Sequence, residues 1–266
     1  MTAGQRRDYP KNLGQVPKKP GTGLKKPRTC PSIPRAQCGC HPYEGRFQET
    51  PYVGDRYASN DKPRATYAAM VTRMDRDIGR LLQLLRDLHL DKNTLVVFTS
   101  DNGPINAGGA DPDFFQNAGG LRGWKFSLYE GGIRVPFIAS WPGTIPASSV
   151  SDAPISHDDL FPTFCDMAQI TSPEVLDGVS QLMTWKGKGP SRHKERYYWE
   201  SPSKDGLMQA IRKGNLKGIR PKANVGFELY DLSTDPSESN NLAMQYPEQA
   251  DLLEKEMQSL RTELSR

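Results

Sequence analysis

Between Arg64 and Pro104 the periodicity of the chain changes once and abruptly, and this change limits the fold more than any other feature. Apolar residues at Tyr67, Val71, Met74, Ile78, Leu81, Leu82, Leu85 and Leu88 recur at helical spacing with charged residues between them. The spacing predicts a long amphipathic helix from Arg64 to Leu90, with Pro63 just inside its start and Asn60 or Asp61 as its cap. The polar turn Asp91-Lys92-Asn93 then leads into Thr94 to Ser100, an apolar run bounded by turn residues, as expected of a strand buried on both faces. Helix, tight turn and buried strand together place this part of the chain in the α/β class and predict that residues 64 to 170 form helix, buried strand, loop and strand as part of a larger parallel sheet.

The end of that strand, Ser100-Asp101-Asn102-Gly103-Pro104, is good turn chemistry in its own right, because Asn and Gly tolerate positive φ and Asp bonds its own backbone. It also stands where open α/β sheets place their ligands, outside the carboxyl end of a strand. A carboxylate beside an amide oxygen is a hard, all-oxygen pair suited to Ca²⁺ or Mg²⁺. Lys125 follows in the Gly-flanked stretch from Leu121 to Pro136, LRGWKFSLYEGGIRVP. A lysine there is placed to return to the same cleft and neutralise an anionic substrate as a point charge.

Further along, residues 133 to 141 read as a second strand, with Pro136 arguing for an edge or a bulge. Residues 156 to 170 read as a helix with His157 or Asp158 near its capped start. From about residue 195 the texture becomes alternating and predicts three or four antiparallel strands, closed by an amphipathic helix over 247 to 264 that opens on Pro247. No internal repeat is evident.

Charge divides the chain unevenly. Residues 1 to 36 hold nine Lys or Arg against Asp8 alone, so they carry +8 of a total of +4 and leave the remainder at −4. Rich in Pro and Gly and without apolar periodicity, this leader is expected to be irregular, a solvated tail rather than a nucleic-acid-binding segment. Cys30, Cys38 and Cys40 crowd beside His41 without the second ligand pair that structural zinc requires. No run has the length and apolarity of a membrane span or of an export signal, so neither is expected.

Four stretches together, TSDNGP at 99 to 104, LRGWKFSLYEGGIRVPFIASWPGTI at 121 to 145, SHDDLFPTFCDMA at 156 to 168 and FELYDLSTDPSESNNLA at 227 to 243, resemble the C-terminal half of the arylsulfatase family, within the alkaline-phosphatase-like superfamily. The resemblance covers roughly residues 50 to 266. It implies the C-terminal part of a sulfatase catalytic domain over 51–190 and a C-terminal subdomain over 191–266, which leaves 1–50 as the basic Pro/Gly-rich leader. The fold it implies is a partial alkaline-phosphatase-like sheet with helices, followed by a small antiparallel sheet plus helix. Carried over by position, Asp101 and Asn102 match two ligands of one divalent cation, normally Ca²⁺, and Lys125 matches the lysine that contacts the sulfate of a sulfate ester substrate. Glu130, Arg134 and Asp231 also fall in the matching stretches and are read as ion pairs or turn formers.

In that family the nucleophile is the hydrate of a formylglycine made from Cys or Ser in a C/S-x-P-x-R motif. No such motif occurs in the 266 residues; Cys30-Pro31-Ser32-Ile33-Pro34-Arg35 has the right letters in the wrong order. The further metal-binding Asp pair and the Lys/His pair of the family are likewise unmatched. Where the family places a histidine after a proline, Arg35 follows Pro34 here, and His41 is the nearest substitute. The expectation is therefore a sulfuric ester hydrolase by descent whose 266 residues alone are inactive. A phosphoester or phosphonate hydrolase of the same superfamily and a non-catalytic binding module with a basic tail are the alternatives.

Overall fold

The computed structural model describes residues 62–106, 110–171, 176–188 and 193–264. The expectations placed on the leader, on Cys30, Cys38, Cys40 and His41, on Arg35 and on the caps Asn60 and Asp61 lie outside the described residues.

Helix α1 spans Lys62–Asp87 and carries Pro63 at its second position. Its N-terminal part is fastened to the single turn α2, Pro112–Phe115. Arg64 pairs with Asp111 at 2.7 Å, the Tyr67 and Phe115 rings lie 5.1 Å apart, and Asn117 donates to the Tyr67 hydroxyl. Asp111 caps α2 by accepting the Phe114 N–H at 3.0 Å. Further along the helix, Val71, Met74, Leu81, Leu84 and Leu88 remain exposed on one side.

After a short 3₁₀ turn, β1 covers Val96–Thr99 and pairs with β2, Phe137–Ser140, in a two-stranded sheet. Two expectations are corrected here. The pairing is antiparallel, with Val96 opposite Ser140 and Thr99 opposite Phe137; among its described residues the connection carries the short α2 and the single turn α3, Glu130–Ile133, and no crossover helix. Nor is β1 buried on both faces: Phe98 and Ile138 face each other across the ladder, and Ile138 is 60% exposed. Phe137, on the opposite face of β2, meets Trp185 of α5, Leu182–Trp185, at 5.4 Å.

Helix α4, Leu160–Ala168, is preceded by a 3₁₀ turn over His157–Asp159. His157 and Asp158 thus lie near the start of the helical segment, and Ser156 is the N-cap of the 3₁₀ turn. The Ser156 N–H donates to the buried Asp159 carboxylate at 2.9 Å, the carboxylate half of a capping box.

The C-terminal part is an antiparallel meander of β3 (Arg196–Ser203), β4 (Gly206–Lys213), β5 (Leu216–Arg220) and β6 (Glu228–Asp231), followed by α6, Pro247–Leu264. Alternation along the strands divides its side chains between two buried faces. Ile211 and Leu229 pack with Ala250, Leu253 and Met257 of α6. Ala210, Ile219 and Tyr230 point the other way and pack with Leu128, Tyr129 and Ile133. The segment around Lys125 is thus laid on the outer face of the C-terminal sheet.

Candidate active site

Two backbone hydrogen bonds hold the end of β1 to the Lys125 segment. The Gly103 N–H donates to the Gly132 carbonyl at 2.9 Å, and the Lys125 N–H donates to the Pro104 carbonyl at 2.8 Å. The approach depends on glycine: a Cβ on Gly103 would fall inside the Gly131 carbonyl, and one on Gly132 would overlap the carbonyls of Ser127 and Trp124. Asp101, Asn102 and Lys125 are consequently carried by backbone segments bonded directly to one another.

Asp101 is exposed, and Asn102 and Lys125 are half-buried. Among the described residues, no hydrogen bond or ion pair engages the side chains of Asp101 or Asn102, and the Lys125 ammonium has no carboxylate partner. The Lys125 Nζ lies 5.6 Å from the centroid of the Phe126 ring. An unpaired ammonium and an uncommitted carboxylate–carboxamide pair are the donors that an anion and a hard cation would use. Among the described residues no three His, Cys, Asp or Glu side chains gather as a metal-binding group, so Asp101 and Asn102 fit a cation chemically but contribute only part of a shell.

Below the site lies a network that local sequence patterns do not reveal. The Lys217 Nζ is fully buried, 2.7 Å from a Glu130 carboxylate oxygen and 2.8 Å from Glu238 Oε1. Glu238 Oε2 accepts the Glu130 N–H at 2.6 Å. Burial pushes the Glu238 carboxyl upward, against the opposing pull of Lys217. Beside it, Arg122 donates to the Tyr230 hydroxyl and to the Glu238 carbonyl, both at 2.9 Å, and its guanidinium stacks 3.8 Å from the Tyr129 ring centroid. Tyr129 and Tyr230 both donate to Glu228; burial first, and that carboxylate second, hold the two phenols well above their ordinary value.

Of the other residues singled out in the sequence, Asp231 forms a turn, accepting the Ser233 N–H at 2.9 Å. Arg134 reaches Glu130 only at 4.0 Å, so the main partner of Glu130 is Lys217. Lys217, Glu238 and Arg122 escaped sequence reading. The only early signal for Lys217 is a charged residue in the middle of a strand, two places before Ile219.

The mixed helix and antiparallel-sheet architecture matches solved structures of the alkaline-phosphatase-like fold, and relatives narrow the class. Residues 33–170 match the Sulfatase family model, and residues 120–264 match that described as N-sulphoglucosamine sulphohydrolase, C-terminal. The chain is 33% identical over 219 residues to an N-acetylgalactosamine-6-O-sulfatase of Bacteroides thetaiotaomicron, covering 74% of this chain and 42% of the relative. It is also 33% identical over 228 residues to human arylsulfatase A, covering 75% and 43%. Among solved structures, Ps i-CgsB in complex with k-i-k-neocarrahexaose superposes with a TM-score of 0.66 at 30% identity, over 80% of this chain and 47% of that one. A phosphonate monoester hydrolase of Agrobacterium radiobacter superposes with a TM-score of 0.58 at 25% identity, over 75% and 42%. The chain belongs to the sulfatase family. It spans less than half the length of the curated relatives named here.

Proposed function

We propose that this chain carries part of the active site of a sulfate ester hydrolase whose substrate is a sulfated carbohydrate, with Lys125 receiving the sulfate and Asp101 and Asn102 serving as two oxygen ligands of a divalent cation, Ca²⁺. The supporting observation is the pair of hydrogen bonds between Gly103 and Gly132 and between Lys125 and Pro104, which ties the cation pair and the lysine to one another. A bound cation would supply charge to polarise the sulfate oxygens. Lys125 adds a positive charge to the same anion, and the clamped backbone fixes where that charge stands. The carbohydrate part of the reading comes from relatives that act on or bind sugars.

Anion binding is the direct test. Titrating the purified chain with sodium sulfate in the presence of Ca²⁺, followed by calorimetry in every variant and by the Lys125 ε-methylene NMR signals in those that keep the lysine, should give a saturable response. Lys125→Ala should weaken sulfate binding roughly 10- to 100-fold, the equivalent of one charge-assisted hydrogen bond. Asp101→Asn should weaken the dependence on Ca²⁺. Sulfate binding that is indifferent to both substitutions defeats the proposal. The likeness to a phosphonate monoester hydrolase supports a second reading, favoured if inorganic phosphate binds more tightly than sulfate at Lys125. No C/S-x-P-x-R motif is present in the 266 residues, so they offer no formylglycine nucleophile. Hydrolysis of a chromogenic aryl sulfate by this polypeptide is expected to stay at background, and turnover abolished by Lys125→Ala would contradict that expectation.

A further inference from the structure

Trp124 and Phe126 flank Lys125 with both rings exposed, Phe126 to 75%. Phe126 also holds φ at +75°, in the left-handed region that residues with a side chain rarely occupy. The turn that carries it is firmly held: the Ser127 N–H donates to the Trp124 carbonyl at 2.9 Å, the Lys125 N–H is bonded to Pro104, and the Trp124 and Ser127 carbonyls lie flush against Gly132. A strained backbone that its surroundings over-determine is a recurring mark of ligand-contacting sites. Core packing does not account for the ring, which belongs to neither buried cluster. Instead its face borders the Lys125 ammonium, 5.6 Å from the ring centroid.

An anion held by Lys125 would therefore bring whatever it is esterified to against an aromatic face. A sulfated pyranose has the matching pair of features, an anionic ester and a sugar ring whose C–H face is apolar and weakly positive, suited to the negative face of an aromatic ring. We propose that Phe126, with Trp124 beside it, stacks on the pyranose ring of the substrate and selects sulfated sugars over other sulfate esters. This rests on the reading of Lys125 as the sulfate-binding residue.

Saturation-transfer NMR on the full 266-residue chain with Ca²⁺ tests the assignment, using N-acetylgalactosamine 6-sulfate, N-acetylgalactosamine and sodium sulfate as probes. Saturating the aromatic protons should transfer to the ring protons of the sulfated sugar. Phe126→Gly, which suits the left-handed φ while removing the ring, and Phe126→Leu, which keeps the bulk without the π face, should each reduce that transfer at least fivefold. Phe126→Tyr should retain it, and the sulfate-induced shift at Lys125 should survive all three. Transfer unchanged in Phe126→Gly and Phe126→Leu overturns the assignment. A wild-type chain that binds sulfate at Lys125 but shows no transfer to the sugar overturns it alone. Absence of both signals overturns the reading of Lys125 as well.

Discussion

Lys217 has no contact with solvent, and its ammonium is shared by two carboxylates that lie 87 residues before it and 21 after it in the chain. Such a group stands only while it is fully paired, since a buried charge without its partner must bear its whole desolvation penalty. Lys217→Met leaves Glu130 and Glu238 facing each other uncompensated, and is expected to lower unfolding free energy by about 3 to 5 kcal/mol. Replacing all three by apolar residues of similar volume should recover most of that loss, and urea denaturation of the single and triple variants compares them; equal losses would exclude the paired-charge account. Asp111 illustrates a milder case. The Phe114 N–H first and Arg64 second hold its carboxyl below the ordinary value of 3.8. A carboxyl depressed in the folded state contributes stability above its unfolded pKa and loses it as pH falls through the folded one. The melting temperatures of wild type and Asp111→Asn should therefore differ above about pH 4 and converge below it. Glu130 was legible as an ion-pair former, but its partner was not: periodicity reports a residue's neighbours at three or four positions, and nothing local points to a lysine 87 positions away.

Among the elements, the long helix, the position of β1, the C-terminal meander and α6 over Pro247–Leu264 were all readable, because each keeps one period for its whole length. Burial and pairing of β1 were not. An unbroken run such as Leu95 to Phe98 reads as a strand covered on both sides, yet among the described residues β1 has a single, antiparallel neighbour, and Phe98 and Ile138 face each other with their side chains exposed. The sequence offered Asp101, Asn102 and Lys125 as candidates, whereas the glycine contact that brings their segments together depends on backbone packing and was not legible. That contact is open to test. A methyl group at Gly103 or Gly132 collides with backbone carbonyls, which cannot move aside as a flexible side chain would. Gly132→Ala is expected to cost about 1 to 3 kcal/mol and to release the Gly103 and Lys125 amides to hydrogen exchange, while the amides of β4 and β5 stay protected. Undiminished protection at Gly103 and Lys125 would show that the clamp does not depend on this approach.

At the scale of the whole molecule, the C-terminal sheet is covered on both faces, by α6 and by the segment from Leu128 to Ile133, whereas α1 and the β1–β2 pair leave apolar side chains in water. The contrast is physical rather than decorative: one half of the described structure has a closed core, and the other presents Val71, Met74, Leu81, Leu84 and Leu88 on one side of a helix, together with Phe98 and Ile138 on a sheet. The chain covers only 42% of a relative that it matches over 74% of its own length, and an uncovered apolar surface of this kind is costly in isolation because its burial is worth roughly 25 cal/mol per Å². Purified alone, the 266-residue chain is therefore expected to self-associate, with light scattering rising steeply with concentration. The basic leader adds no net repulsion, since the chain carries +4 with it and −4 without it, and salt screens either charge within about 10 Å at 0.1 M. Two substitutions separate the apolar from the electrostatic contribution. Leu81→Lys with Ile138→Lys places charge on the exposed helix side and the exposed sheet face, and should lower the scattering at every ionic strength without shifting the melting temperature. Removal of residues 1 to 36 takes the net charge from +4 to −4 without changing its magnitude, and should leave both the melting temperature and the self-association unchanged. If the double lysine variant scatters as strongly as the wild type, the exposed side chains of α1 and β2 are not what drives association, and the apolar-surface argument fails.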